Sequence, residues 1–132
     1  MTFAQNTNKL LKDYNSIKEA LVNGNSKDAS ELAIAFQQTI KSEADFLQKT
    51  DLLNAIDNII KVSSIEKQRQ ALNDVSIILW KLVKSLDNLT QPIYYQYCPM
   101  KKAYWLSKEK EIKNPYYGSS MLTCGKVVET KQ

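Results

Sequence analysis

Four sulfur atoms are the residues best placed to do chemistry. Cys98 and Met100 are two apart, so in an extended segment both side chains point to one side. Met121 and Cys124 are three apart and share a side in a helical turn or tight loop. Two thiolates and two thioethers make a soft donor set, which selects Cu(I) and, by the same logic, Ag(I). Mg²⁺ and Ca²⁺ want oxygen, and structural zinc sites use Cys and His without thioethers. On that reading Cys98, Met100, Met121 and Cys124 would be the metal ligands. On residue chemistry alone, one disulfide is the simpler reading of the two cysteines. A Cys98–Cys124 disulfide would close a loop of about 27 residues and stabilise by ~3.5 kcal/mol in the chain-entropy model, with the methionines as packing.

The surroundings of these residues differ from the rest of the chain. Of 132 residues, the stretch up to Pro92 carries eleven cationic and eleven anionic side chains. The last forty carry seven Lys against three Glu, so the whole excess of +4 lies there. Both Cys and seven of the twelve aromatic residues lie there too. With no His, every mechanism that needs an imidazole is excluded, from Ser-His-Asp triads to Cys-His dyads. No Gly-rich phosphate loop appears, and the carboxylates are scattered along helix faces, so the expectation is a protein that is not an enzyme. A basic, Tyr-rich tail could offer stacking platforms to nucleic acid, but +4 with one Arg is weak support, and no nucleic-acid partner is expected. No apolar run approaches the ~20 residues of a membrane span.

The first ninety residues must supply the scaffold. Leu10, Tyr14, Ile17 and Leu21 fall at helical spacing, and Asn23-Gly24-Asn25 stops that helix. Ser26 is the expected N-cap of a second helix, with Ala29, Leu32, Ala33, Phe36 and Ile40 on one face. A third, capped by Thr50 or Asp51, carries Leu52, Ile56 and Ile59. Ser63 or Ser64 precedes a fourth, from about Ile65 to Leu89, with Leu72, Val75, Leu79 and Val83 in its stripe and Trp80 at its edge. Single charges on these helices read as solvated faces. Ile93 to Cys98 favours an extended segment, Ser107 a short helical turn through Lys110, and Asn114-Pro115-Tyr116-Tyr117-Gly118 a turn. The expected fold is all-α: an up-and-down bundle of about four helices with a mostly irregular tail wrapping back on it. Residues 1–132 form one domain, divided into a bundle (1–91) and a Cys/Met/Tyr-rich tail (92–132). Trp105 reads as a plug of that tail onto the bundle.

The tail motifs, Cys98-Pro99-Met100, Trp105-Leu106-Ser107, Asn114-Pro115-Tyr116-Tyr117-Gly118 and Met121-Leu122-Thr123-Cys124-Gly125, resemble an uncharacterised, Bacteroidetes-type bacterial domain family. That family is similar to the C-terminal extension of CusB-type copper/silver efflux adaptors. The resemblance implies export to the periplasm or beyond, a link to heavy-metal handling, and a CusB-type adaptor or another periplasmic protein as partner. It departs from the short metal-binding segments of efflux pumps in having Lys101 where a His typically follows. Met1 to Gln5 has neither the basic nor the apolar region of a signal peptide, so the chain is expected to be either cytoplasmic or a mature fragment, and the resemblance implies the second. The expected function is a periplasmic Cu(I)/Ag(I) module, a metallochaperone or efflux-adaptor accessory. The alternative is a non-enzymatic interaction domain stapled by its disulfide.

Overall fold

The computed structural model describes residues 3–87 and 89–132. Met1 and Thr2, at the head of the stretch read for a signal peptide, and Asn88, near the expected end of the fourth helix, lie outside them. The chain runs α1 (Phe3–Val22), α2 (Ser26–Ser42), α3 (Lys49–Ile60), α4 (Ile65–Lys84), β1 (Ile93–Cys98), β2 (Ala103–Ser107), a 3₁₀ turn η1 (Gly118–Ser120) and β3 (Lys126–Lys131). Successive helices pack on one another, as an up-and-down arrangement requires. Their apolar stripes form the core: Leu10, Tyr14, Ile17, Leu21, Phe36, Ile40, Leu52, Ile56, Ile59, Leu72 and Leu79 are fully buried.

Side-chain caps mark where α2 and α4 begin. Asn25, one residue before the expected Ser26, caps α2 by accepting the amide of Asp28 at 3.0 Å. The Ser26 hydroxyl instead donates to the Ser63 carbonyl at 2.9 Å, tying two loops together. Neither Thr50 nor Asp51 caps α3, whose N-cap is Gln48 with no side-chain bond. Ser64 caps α4 through the Lys67 amide. That helix stops at Lys84, short of Leu89.

The all-α expectation is wrong, because the tail is a sheet. Three antiparallel strands stand in the order β2-β1-β3. Ile93, the three tyrosines of β1 and the Tyr104-Trp105 pair of β2 are strong strand formers, and an extended segment laid on a bundle must find partners for its backbone N–H and C=O groups. The sheet supplies them. Pro99 to Lys102 form the connection between β1 and β2, and Lys102 takes a left-handed φ of 52° to complete it. The helical turn expected after Ser107 is absent, since its hydroxyl accepts the Glu109 amide in a bend that does not continue.

Both faces of β1 are covered. On one, the Trp80 ring of α4 stacks on Tyr95 at 4.6 Å, and Tyr95 stacks on Tyr104 at 4.7 Å. On the other, Gln96 donates to the carbonyls of Glu109 and Lys110, so the segment after β2 folds back over the strand. A strand covered twice does not alternate between apolar and polar residues.

The outer edge of β2 is closed by side chains. The Tyr104 N–H donates to Asn73 Oδ1 at 2.8 Å, and the Tyr104 carbonyl accepts the Tyr116 hydroxyl. The Leu106 N–H donates to the Tyr14 hydroxyl at 3.0 Å, and the Leu106 carbonyl accepts Lys18 Nζ at 3.1 Å. The Ser76 hydroxyl donates to the Leu72 carbonyl, so the Tyr14 proton goes to Ser76 Oγ, 2.7 Å away. Tyr14 thus joins α1, α4 and β2. Burial, the larger influence, pushes its phenol well above the usual range, although its hydrogen bonds pull the other way.

Candidate metal centre

Strand register brings the two cysteines together. Tyr97 of β1 faces Lys126 of the antiparallel β3. One step forward on β1 is Cys98, and two steps back from Lys126 is Cys124. Their Sγ atoms lie 3.9 Å apart, and both are free thiols. Cys98 is buried and Cys124 half-buried.

Neighbouring residues hold Cys124 in place. Its carbonyl accepts Asn114 Nδ2 at 2.6 Å, and its amide donates to the Met121 carbonyl at 3.1 Å. Asn114 is fully buried and works as a hub. Its Oδ1 accepts the Tyr116 and Tyr117 amides, its N–H donates to the Leu122 carbonyl, and its carbonyl accepts the Gly118 amide. Gly125 has φ 146°, and a Cβ there would stand 2.8 Å from the Trp105 ring and 3.0 Å from the Tyr97 carbonyl. A side chain at this position would push the Cys124 backbone off the sheet. Trp105 is fully buried, and the ring it meets is another of the tail, Tyr116, edge-on at 6.0 Å.

The thiols and thioethers differ in setting. Met100, on the β1–β2 connection, is 68% exposed, and Met121, at the end of η1, is 44% exposed. The fold therefore gathers the cysteines into a pair and leaves the two methionines, which lie between them in sequence, at the surface. Lys101 lies over the Tyr117 ring, 4.9 Å from its centre. Among the described residues no group of three or more Cys, Asp or Glu gathers as a metal cluster would.

The donor chemistry of the pair suits a soft ion. At 3.9 Å the sulfurs are beyond the ~2.05 Å of a disulfide bond. Two sulfurs each about 2.3 Å from one ion stand ~3.8 Å apart at a tetrahedral angle, close to the spacing here. Partial burial pushes the Cys124 thiol up, and the hydrogen bond and charge of Cys98 push it further. A metal entering the site must therefore displace protons.

The residues that sequence reasoning missed are those that fix the sheet to the helices. Arg69, whose local candidates for pairing are Glu66 and Asp74, does a related job between two helices, α4 and α1. Its Nε and Nη2 both donate to the Leu21 carbonyl at the end of α1, at 3.1 and 2.6 Å. Lys18, read as part of a solvated face, is only 6% exposed. A signal for it was present: it follows Tyr14 by four and precedes Leu21 by three, on the apolar stripe itself.

Comparison with known proteins adds a family and no function. No curated protein and no solved structure matches the chain. Residues 10–91 match the family model DUF3347, described as a protein of unknown function. The match covers the helices and ends before the first tail motif, whereas the expected resemblance rested on the tail. Since the match takes in more than half of its length, the chain belongs to the DUF3347 family of proteins of unknown function.

Proposed function

We propose that this protein is a periplasmic binding module for a soft monovalent metal, Cu(I) or Ag(I), acting as a metallochaperone or as an accessory to a CusB-type efflux adaptor. The observation that carries the reading is the pair of free thiols, Cys98 and Cys124, held 3.9 Å apart by strand register. Met100 and Met121 are the candidate thioether donors, exposed and two and three residues away in sequence. Two thiolates would neutralise a monovalent ion and leave one negative charge, which the excess Lys of the tail would balance. Periplasmic location and the adaptor partner rest on the resemblance of the tail motifs.

The test is a titration of the reduced, anaerobic protein with Cu(I) against a chromophoric chelator, with Cys98→Ser/Cys124→Ser beside it. One equivalent held by the wild type and lost in the variant supports the reading. Failure to compete with the chelator defeats it. A second reading rests on the same distance. Oxidation would draw the sulfurs together into a disulfide that staples β1 to the start of β3, leaving an interaction domain with no metal. Mass spectrometry of the air-exposed chain, two mass units lighter and resistant to alkylation, would favour it.

A further inference from the structure

A cleft of about 430 Å³ lies between the C-terminal half of α1 and the segment that follows β2. None of the four candidate sulfur ligands lines it. Its volume falls in the range of small-molecule sites, roughly 300–1,000 Å³.

Three of its lining residues, Lys18, Trp105 and Ser107, are buried, and the first two offer only donors. The Lys18 ammonium has three N–H donors. Among the described residues it makes one hydrogen bond, to the Leu106 carbonyl, and no ion pair. A buried cation without a counter-ion is costly, and folded proteins ordinarily pair it. The indole N–H of Trp105 is also buried, and it has no partner among the described residues. The loss of solvent, the largest influence, lowers the Lys18 pKa from its ordinary 10.5 to about 8, with the charges of Glu19 and Glu109 opposing it only in part.

The rim narrows the choice of anion. It carries Lys108 and Lys113 against Glu19, Glu109 and Glu111, all exposed. Lys113 and Glu111 stand 3.9 Å apart and offset each other. The remaining rim charge is one Lys against two Glu, which disfavours a ligand with further negative charge outside the floor.

From these features we infer that the cleft is a binding site for a small molecule bearing a single carboxylate, which supplies the counter-ion to Lys18 and the acceptor for the Trp105 N–H. The inference is independent of the metal reading.

Benzoate is the probe, added to ¹⁵N-labelled full chain and followed by NMR at neutral pH. The two indole N–H signals give a built-in comparison, because Trp80 Nε1 already donates to Glu129 at 3.2 Å. Benzoate should shift the Trp105 signal saturably and leave that of Trp80 in place. It should also raise the Lys18 pKa, measured directly on the wild-type side chain. Lys18→Met should weaken benzoate at least tenfold, and succinate should bind several-fold more weakly than benzoate. No saturable shift of Trp105, an equal shift with methyl benzoate, or an unmoved Lys18 pKa at saturation would overturn the assignment. Succinate binding as tightly as benzoate would overturn its restriction to one carboxylate. The pKa measurement stands even if Lys18→Met does not fold.

Discussion

The two edges of the sheet are built in opposite ways. Along β2, four consecutive outward backbone groups are met by side chains from elsewhere: Asn73, Tyr116, Tyr14 and Lys18. Along β3, no side chain among the described residues hydrogen-bonds to the backbone, and Val127 and Val128 are 38% and 40% exposed. An open edge invites pairing with another chain, and proteins blunt it with charge, brevity or a bulge. β3 has two of these: the charges of Lys126, Glu129 and Lys131, and a register shift opposite Tyr95 and Gln96. One edge is thus closed by specific tertiary contacts, and the other by generic repulsion. The difference should be measurable, since specific contacts fail singly and generic ones do not.

The largest effect should come from the residue that packs under the closed side. Trp105→Ala removes a fully buried indole against which Gly125 is pressed, and should cost about 3–5 kcal/mol in urea unfolding. A loss below ~1 kcal/mol would show that the plug carries little of the fold.

Next is Tyr14→Phe, which keeps the ring and strands the Leu106 N–H and Ser76 Oγ. The expected loss is about 1–3 kcal/mol, the cost of leaving buried polar groups unpaired. Asn73→Ala, which frees only the Tyr104 N–H, should fall at the lower end of that range. If both variants match wild type, the closed edge is decoration.

Alkaline pH probes the same edge through charge. Lys18 titrates near 8 in the folded chain and at 10.5 unfolded, so between those values the unfolded state binds more protons and stability rises with pH. Below pH 8 the full penalty of the buried ammonium is present. Above about pH 10 the sign reverses, because unfolded tyrosines ionise while buried Tyr14 and Tyr116, both shifted upward, keep their protons. Denaturation midpoints should therefore peak between pH 9 and 10.5, and Lys18→Met should abolish the rise while leaving the fall.

The smallest effects belong to β3. Val127→Thr and Val128→Thr should each change stability by less than about 0.5 kcal/mol. Under mild denaturant, hydrogen exchange should strip protection from β3 before β2. Simultaneous loss from both strands would erase the contrast.

What could be read in the sequence follows the same division. The helical stripes were legible because their spacing of three and four residues is a local signal, and Tyr14, Phe36 and Leu72 all landed in the core. Ile93 to Cys98 was legible as extended. Its pairing was not, because β1 is covered on both faces and shows no alternation. Nor could spacing reveal contacts such as Asn73 with Tyr104, thirty-one residues apart. Cys98 and Cys124 were picked out by donor chemistry and by the resemblance of the tail motifs, and strand register then placed them side by side. Asn114 was recognised as a turn-former. Its four-way role needed the position of Cys124, which no local pattern contains.

The Tyr14–Leu106 bond also sets an order of events during synthesis. It spans 92 residues, and the contacts of Lys18 and Asn73 with the same strand span 88 and 31. Such distant closures form late and slowly compared with helix pairing. As the chain leaves the ribosome, α1 to α4 can assemble while the tail is still unmade. The docking groups for β2 then wait on a finished bundle, and the two thiols, 26 residues apart, can meet only once both ends of the tail have emerged. Until then each cysteine is solitary and open to whatever oxidant or ion the compartment holds.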